Sequence, residues 1–309
     1  MELMSLISKM ITFIALMLVG YVGARRGLLD NAFARALSRL VMNVFLTCTV
    51  INSVLSERPE LSGGQLLHVI AMLSLMMALA FVGAWLCVKL FRMKDGNAPV
   101  FELLAGVMNT MFIGLPLVQS LYGAAAVLYC ALSCIPFNVL VYSYGVWRLK
   151  HGKQLDGGSG MRVSDVLTVP LFATLVALAI FFFDLKLPAV LTDLISSTSA
   201  ATMPVSMIVI GATLGGIPLT EAFCEKRVYL LCALRLVVLP ALTWLILGAL
   251  TRNEILLKTC VIVSACPSAV VVTVMALQYD YDASFSSKGI LVTTVLSMIT
   301  LPIWALILG

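Results

Sequence analysis

Two strongly apolar segments of this chain each carry a proline among amide and hydroxyl side chains. In ELLAGVMNTMFIGLPLVQSLYG, Asn109 and Thr110 precede Gly114-Leu115-Pro116. In ILLKTCVIVSACPSAVVVTVMALQY, Ser264 precedes Cys266-Pro267-Ser268. A proline removes a backbone donor and clashes with the preceding turn, so a helix kinks or stops there. In hydrocarbon the freed peptide groups need partners, so such breaks survive where they are buried in protein or line a cavity. A helix that restarts at depth presents unpaired N–H groups and a partial positive charge. Two such ends facing each other form an anion site without needing an arginine.

This pattern predicts breaks at Gly114-Leu115-Pro116 and Cys266-Pro267-Ser268, with the second halves beginning near Leu117 and Ser268, at the midplane. Asn109, whose amide has both donor and acceptor, leads the candidate substrate contacts. Thr110, Gly114, Pro116, Ser264, Pro267 and Ser268 complete the set at the breaks, and Asn43, one helical turn from Thr47, joins from a facing stretch. The competing reading is that these polar groups re-satisfy broken backbone or act as interhelical glue. Ser264 and Ser268 divide evenly between the two readings.

The elements that would hold these residues follow from composition. The chain has 309 residues, 61% of them hydrophobic and only 11% charged, against about 25% charged in soluble domains. It reads as an all-α polytopic membrane protein. Ten stretches are long and apolar enough to span, at roughly 5–24, 33–56, 65–91, 98–122, 124–148, 165–184, 187–216, 227–250, 255–279 and 284–308. The Gly-rich, charged LKHGKQLDGGSGMRVS, 149–164, reads as a linker between five spans in 1–148 and five in 165–309. An odd number of spans per half inverts the second half, so a shared fold would be a 5+5 inverted repeat with the fourth and ninth spans broken.

Of the 20 Lys and Arg, 14 fall on or beside alternate loops that include 149–164, four on the opposite loops, and Lys9 and Arg235 within spans. The positive-inside rule then puts 149–164 in the cytoplasm and both termini outside the inner (plasma) membrane. The basic residues act as topology signals and do not form a nucleic-acid surface. Arg235 is expected to snorkel to the cytoplasmic face, the alternative being that it forms part of an anion path, and Lys9 to anchor a helix end. The acidic residues sit at span ends or in loops, Glu102 being the deepest, which disfavours a paired-carboxylate cation exchanger.

The cysteines are scattered singly through apolar stretches, with no His or acidic partners at metal-ligand spacing. Leu61-Ser62-Gly63-Gly64-Gln65 spells an ATPase signature, but no phosphate-binding GxxxxGK[ST] loop accompanies it. No catalytic residue, metal site or cofactor is expected. A membrane-embedded hydrolase or acyltransferase would need a positioned nucleophile and base. A sensor would need an output domain.

Asn109-Thr110-Met111-Phe112-Ile113-Gly114-Leu115-Pro116, as N-x-x-F-x-G-x-P, resembles the fourth span of the auxin efflux carrier family. GYVGARRGLLD at 20–30 and LSRLVMNVFL at 37–46 are similar to that family's first two spans. The end of the chain, from Ala265-Cys266-Pro267 through Gln278-Tyr279 to Ser297-Met298-Ile299-Thr300-Leu301-Pro302, is similar as well. The resemblance implies a scaffold of spans 1, 2, 6 and 7 and a moving domain of spans 3–5 and 8–10, with spans four and nine crossing at their prolines. It also implies small organic anions such as auxin-like acids, malate or malonate as substrates, with Asn109 on the carboxylate. Many members carry a proline in span two where this chain has Thr47, and the short central loop is of the bacterial type.

The expected activity is secondary transport of a small mono- or dicarboxylate by elevator-like alternating access. The alternative is a sodium-coupled organic anion symporter similar to bile acid carriers. Expected partners are the organic anion, the lipid bilayer and, as an open case, a second copy in a homodimer. The topology has a direct check. A cysteine introduced at Gly157 in a Cys-free background should resist an impermeant thiol reagent added to intact cells, and ready labelling would overturn the orientation.

Overall fold

The computed structural model describes residues 2–56, 63–93, 96–152, 169–215, 223 and 225–309. Most of the central linker, 153–164, and Leu61-Ser62 of the LSGGQ run lie outside the described residues. Among the described residues the chain is all helical, apart from one isolated backbone bridge between Met108 and Ser268.

The first long elements are α1 (Glu2–Arg25), α2 (Asn31–Leu40), α3 (Leu46–Ser56) and α4 (Gly63–Leu90). Two short helices, α5 (Ala98–Gly106) and α6 (Leu115–Tyr122), replace the fourth stretch, and α7 (Ala124–Leu132), α8 (Cys134–Leu140) and α9 (Val146–Gly152) follow. After the linker come α10 (Val169–Phe182), α11 (Ala189–Gly215), α12 (Lys226–Ala233), α13 (Leu239–Leu250), α14 (Glu254–Ala265), α15 (Val271–Gln278) and α16 (Ala283–Leu308).

Among the described residues six continuous helical stretches are long and apolar enough to cross a membrane: Ala32–Leu55, Gly64–Leu90, Ala124–Gly152, Ala189–Thr213, Lys226–Leu250 and Ser284–Leu308. Ile11–Arg25, Thr110–Tyr122 and Leu171–Phe182 are shorter apolar helices. The expected fourth and ninth spans are missing from the long set because each is physically broken. Large apolar side chains such as Leu18, Leu67, Phe172, Leu245 and Ile299 remain exposed, as a lipid-facing surface requires.

Among the described residues four π turns occur: Val41–Phe45, Val141–Gly145 and Leu234–Val238 join helices end to end, and Thr110–Gly114 opens α6. Two of them precede Leu-Pro, at Leu115-Pro116 and Leu239-Pro240. A proline cannot donate to the carbonyl four residues back, and its ring crowds that carbonyl. A local switch to wider bonding absorbs the defect, as when Leu115 N–H bonds to the Thr110 carbonyl. The carbonyl four residues before Pro240 belongs to Leu236, and it accepts instead from Trp304 Nε1 at 2.8 Å. The turn at Val41–Phe45 precedes Leu46-Thr47, where the family resemblance implies a proline. Thr47 therefore keeps the local kink without the ring. The Phe45 carbonyl at that kink accepts from Thr49 at 3.0 Å and from Thr202 at 3.1 Å.

The helices pack in two groups. α1 lies along α11, and α3 packs on α10 and α11. α4 packs on α5 and α13, α14 packs on α13 and α16, and α12 packs on α16. α7 joins the groups by touching α3, α10 and α14, and α6 touches α11 and α16 touches α1 across the same divide.

The α1–α11 contact is made by backbone. A Cβ on Gly211 would stand 1.9 Å from the Met17 carbonyl oxygen, and one on Gly20 would stand 2.0 Å from that of Ile208. Small residues of this kind let membrane helices approach closely where burial in lipid supplies no drive. Since neither neighbour is a flexible side-chain tip, Gly211→Ala should force the helices apart. We expect a loss of about 1–3 kcal/mol and a lower melting temperature in detergent. An unchanged melting temperature would remove this contact as a determinant of the α1–α11 spacing.

Candidate functional site

The two breaks meet each other. α5 ends at Gly106, and Val107 is extended at φ −100 and ψ 108. α14 ends at Ala265, and Cys266 is extended at φ −62 and ψ 148. The extended segments run antiparallel, with Asn109 N–H donating to the Pro267 carbonyl at 2.8 Å and Ala269 N–H to the Val107 carbonyl at 3.0 Å. Peptide groups that neither helix can satisfy thus satisfy one another, as a water-poor setting demands.

One expectation is corrected here. The first break lies at Val107–Asn109 and not at Gly114-Leu115-Pro116. Pro116 sits in the first turn of α6, where a missing N–H costs little and the preceding π turn has taken up the strain. Helical structure resumes at Thr110, ahead of the expected Leu117. In the second segment the break is at Cys266-Pro267-Ser268 as expected, and α15 begins slightly later, at Val271.

Asn109 is the N-cap of the restarted helix. Its Oδ1 accepts from Phe112 N–H at 3.3 Å. An amide N–H needs an acceptor, so that bond fixes the amide's orientation and leaves Nδ2 as a donor. Asn109 is half-buried. Thr110 beside it is 4% exposed, and its Oγ1 is buried with no partner among the described residues. Gly114 brings the turn against the other break, since a Cβ there would meet Cys266 Sγ at 3.3 Å.

The serines hold the crossing together. Ser268 Oγ donates to the Leu104 carbonyl at 2.7 Å, and its N–H donates to Thr293 Oγ1 at 3.3 Å, tying the second break to α5 and to α16. Ser264 Oγ accepts from Thr243 Oγ1 at 3.0 Å and links α14 to α13. Both serines are fully buried. Asn43 is exposed, on the π turn Val41–Phe45 that packs against α10 and α11, so the structure does not bring it in with the buried crossing.

Two charged residues are buried near the crossing, and one of them, Arg235, was read differently from sequence. Arg235 does not snorkel. It is fully buried in the π turn between α12 and α13, with Nε donating to the Cys266 carbonyl at 2.9 Å and Nη1 to the Ala105 carbonyl at 3.1 Å. Glu102, in α5, is fully buried too. It accepts from Arg148 Nε at 2.8 Å and from the Tyr144 hydroxyl, so α5 is pinned to α9 and the π turn before it. Its sequence signal was Tyr144 and Arg148 one helical turn apart.

One and two turns beyond Asn109, Ile113 and Leu117 border a partly open cavity of about 30 Å³, lined on its other sides by Phe13 and Met17 of α1, Met207 of α11 and Ser297 and Leu301 of α16. That is room for about one water. It marks the seam where the restarted helix meets the α1–α11 pair.

The model of the membrane transport protein family matches residues 5–156 and 161–305. An uncharacterized transporter of Methanothermobacter thermautotrophicus is 26% identical over 302 residues, 96% of this chain and 97% of that one. Uncharacterized transporter MJ1031 of Methanocaldococcus jannaschii is 24% identical across 95% of this chain and 96% of its own. Uncharacterized transporter YfdV of Escherichia coli K12 is 22% identical across 96% of each.

The serine fasteners allow a test. Ser268→Ala leaves the buried Leu104 carbonyl without its donor, a cost of about 1–3 kcal/mol. A lowered melting temperature with unchanged ligand affinity is the expected result. A selective loss of affinity would return Ser268 to the ligand contacts.

Proposed function

The chain belongs to the membrane transport protein family, of the auxin efflux carrier type, and from that premise we propose that it is a secondary transporter of small organic anions that binds a carboxylate beside Asn109. The observation that carries this reading is the Asn109 amide. Its oxygen is committed to the helix cap, and its nitrogen is left as a donor at the mouth of a restarted helix. The positive end of the helix dipole and an N–H donor both favour an anionic oxygen. Mono- or dicarboxylates such as malate, malonate or an auxin-like acid have that chemistry.

The transport cycle we propose is elevator-like. α1, α2–α3, α10 and α11 form the scaffold, and the helices around the crossing move against it. The division of packing into two groups supports this, as does the narrow seam at Ile113 and Leu117, which holds too little space for a carboxylate until the groups part. The meeting of two broken helices from the two halves supports an inverted repeat of ten spans, with 1–148 and 165–309 as the repeats and 149–164 as a cytoplasmic linker. In this reading both termini are outside the inner membrane.

The test is uptake of radiolabelled carboxylates into proteoliposomes, with and without sodium and pH gradients, on the wild type and two Asn109 variants. Asn109→Ala loses both cap and donor, so it should melt lower by about 0.5–2 kcal/mol of stability and bind about ten- to a hundredfold more weakly. Asn109→Asp keeps an oxygen for Phe112 N–H but replaces the donor with a negative charge. It should keep its melting temperature and lose uptake. Full uptake by the Asp variant would exclude Asn109 as the carboxylate contact. Uptake only with a sodium gradient would favour the symporter alternative.

A further inference from the structure

Four helix ends meet at the crossing: the C-terminal ends of α5 and α14, and the N-terminal ends of the restarted Thr110–Tyr122 stretch and of α15. Each C-terminus carries about half a negative charge and each N-terminus about half a positive one. Left alone, the two pairs oppose each other, and the field at the site nearly cancels. Arg235 sits on the negative pair. Its guanidinium donates to the Ala105 carbonyl near the end of α5 and to the Cys266 carbonyl just past α14.

Among the described residues, Arg235 and Glu102 are the fully buried charged side chains. Glu102 is already taken by Arg148 and Tyr144, and Arg235 has no carboxylate partner. Its Nη2 is buried and has no hydrogen-bond partner among the described residues. A guanidinium held this deep without an acid is costly and is characteristic of functional positions in membrane proteins.

We propose that Arg235 is the fixed positive charge that makes this site select anions, acting through the crossing and not by touching the substrate. It cancels the negative helix ends, so the positive ends beside Asn109 act unopposed on the ligand. It is therefore a positioning and specificity-determining residue. This rests on the carboxylate reading above, and it adds a claim that the reading does not need.

The experiment measures binding to the purified full-length protein of two acid–amide pairs, malonate with malonamide and indole-3-acetate with indole-3-acetamide. The wild type should prefer the acid. Arg235→Gln removes the charge and should cut the acid-over-amide preference tenfold or more while leaving amide binding unchanged. Arg235→Lys keeps the charge but loses the planar fork that reaches both carbonyls. It should melt lower yet retain most of the preference. A simple clamp would behave otherwise, with Lys and Gln variants weakened alike and acid and amide losing equally, and that result would overturn the proposal. If the Gln variant does not fold, the Lys variant decides, because loss of preference with the charge in place is equally fatal. A wild type that prefers acids, with a Gln variant that keeps the preference, removes Arg235 and leaves the carboxylate reading standing. A wild type that binds neither acid removes both.

Discussion

The structure depends on a pair of backbone hydrogen bonds between two broken helices. An interrupted helix in hydrocarbon leaves donors and acceptors that lipid cannot satisfy. Here the two interruptions run antiparallel, and Asn109 and Ala269 donate across to Pro267 and Val107. Each break is the other's partner, so neither is tolerable alone. The surrounding polar groups serve this junction. Asn109 caps the helix that resumes, Ser268 reaches back to α5, Thr293 receives the Ser268 N–H, and Arg235 collects two carbonyls that the broken helices leave over.

Much of this was legible in the sequence, in uneven degree. Apolar runs of spanning length gave the helices, and two prolines in matching stretches flagged the two breaks. Pro267 marks its break to the residue. Pro116 does not, because a π turn spreads its disturbance over the preceding turn and the chain opens at Val107–Asn109 instead. The kink at Val41–Phe45 shows the same limit from the other direction, since the geometry persists where Thr47 stands in place of proline. Proline is one cause of such a turn, and the carbonyl acceptors around it are another.

Arg235 was misread for a related reason. Its depth in an apolar stretch suggested snorkelling, which is the default for a lone cation on one helix. What holds it inside is a pair of carbonyls from α5 and α14, distant in sequence and exposed only because both helices stop there. No periodicity or spacing encodes that coincidence. Asn43, on the same helical face as Thr47, is exposed on the π turn beside α10 and α11 and is not part of the buried crossing. Ser264 and Ser268, evenly divided by sequence, are both spent on interhelical bonds.

The junction between Met108 and Ser268 is made of peptide groups. Every amino acid except proline brings the same donor and acceptor, so the register of the crossing is written in the main chain and not in any side-chain identity. Neighbouring side chains that do not fasten the crossing are then free to drift without shifting its register. A chain of this kind can be retuned for a new cargo one neighbouring position at a time, with the mechanical joint inherited intact at every step.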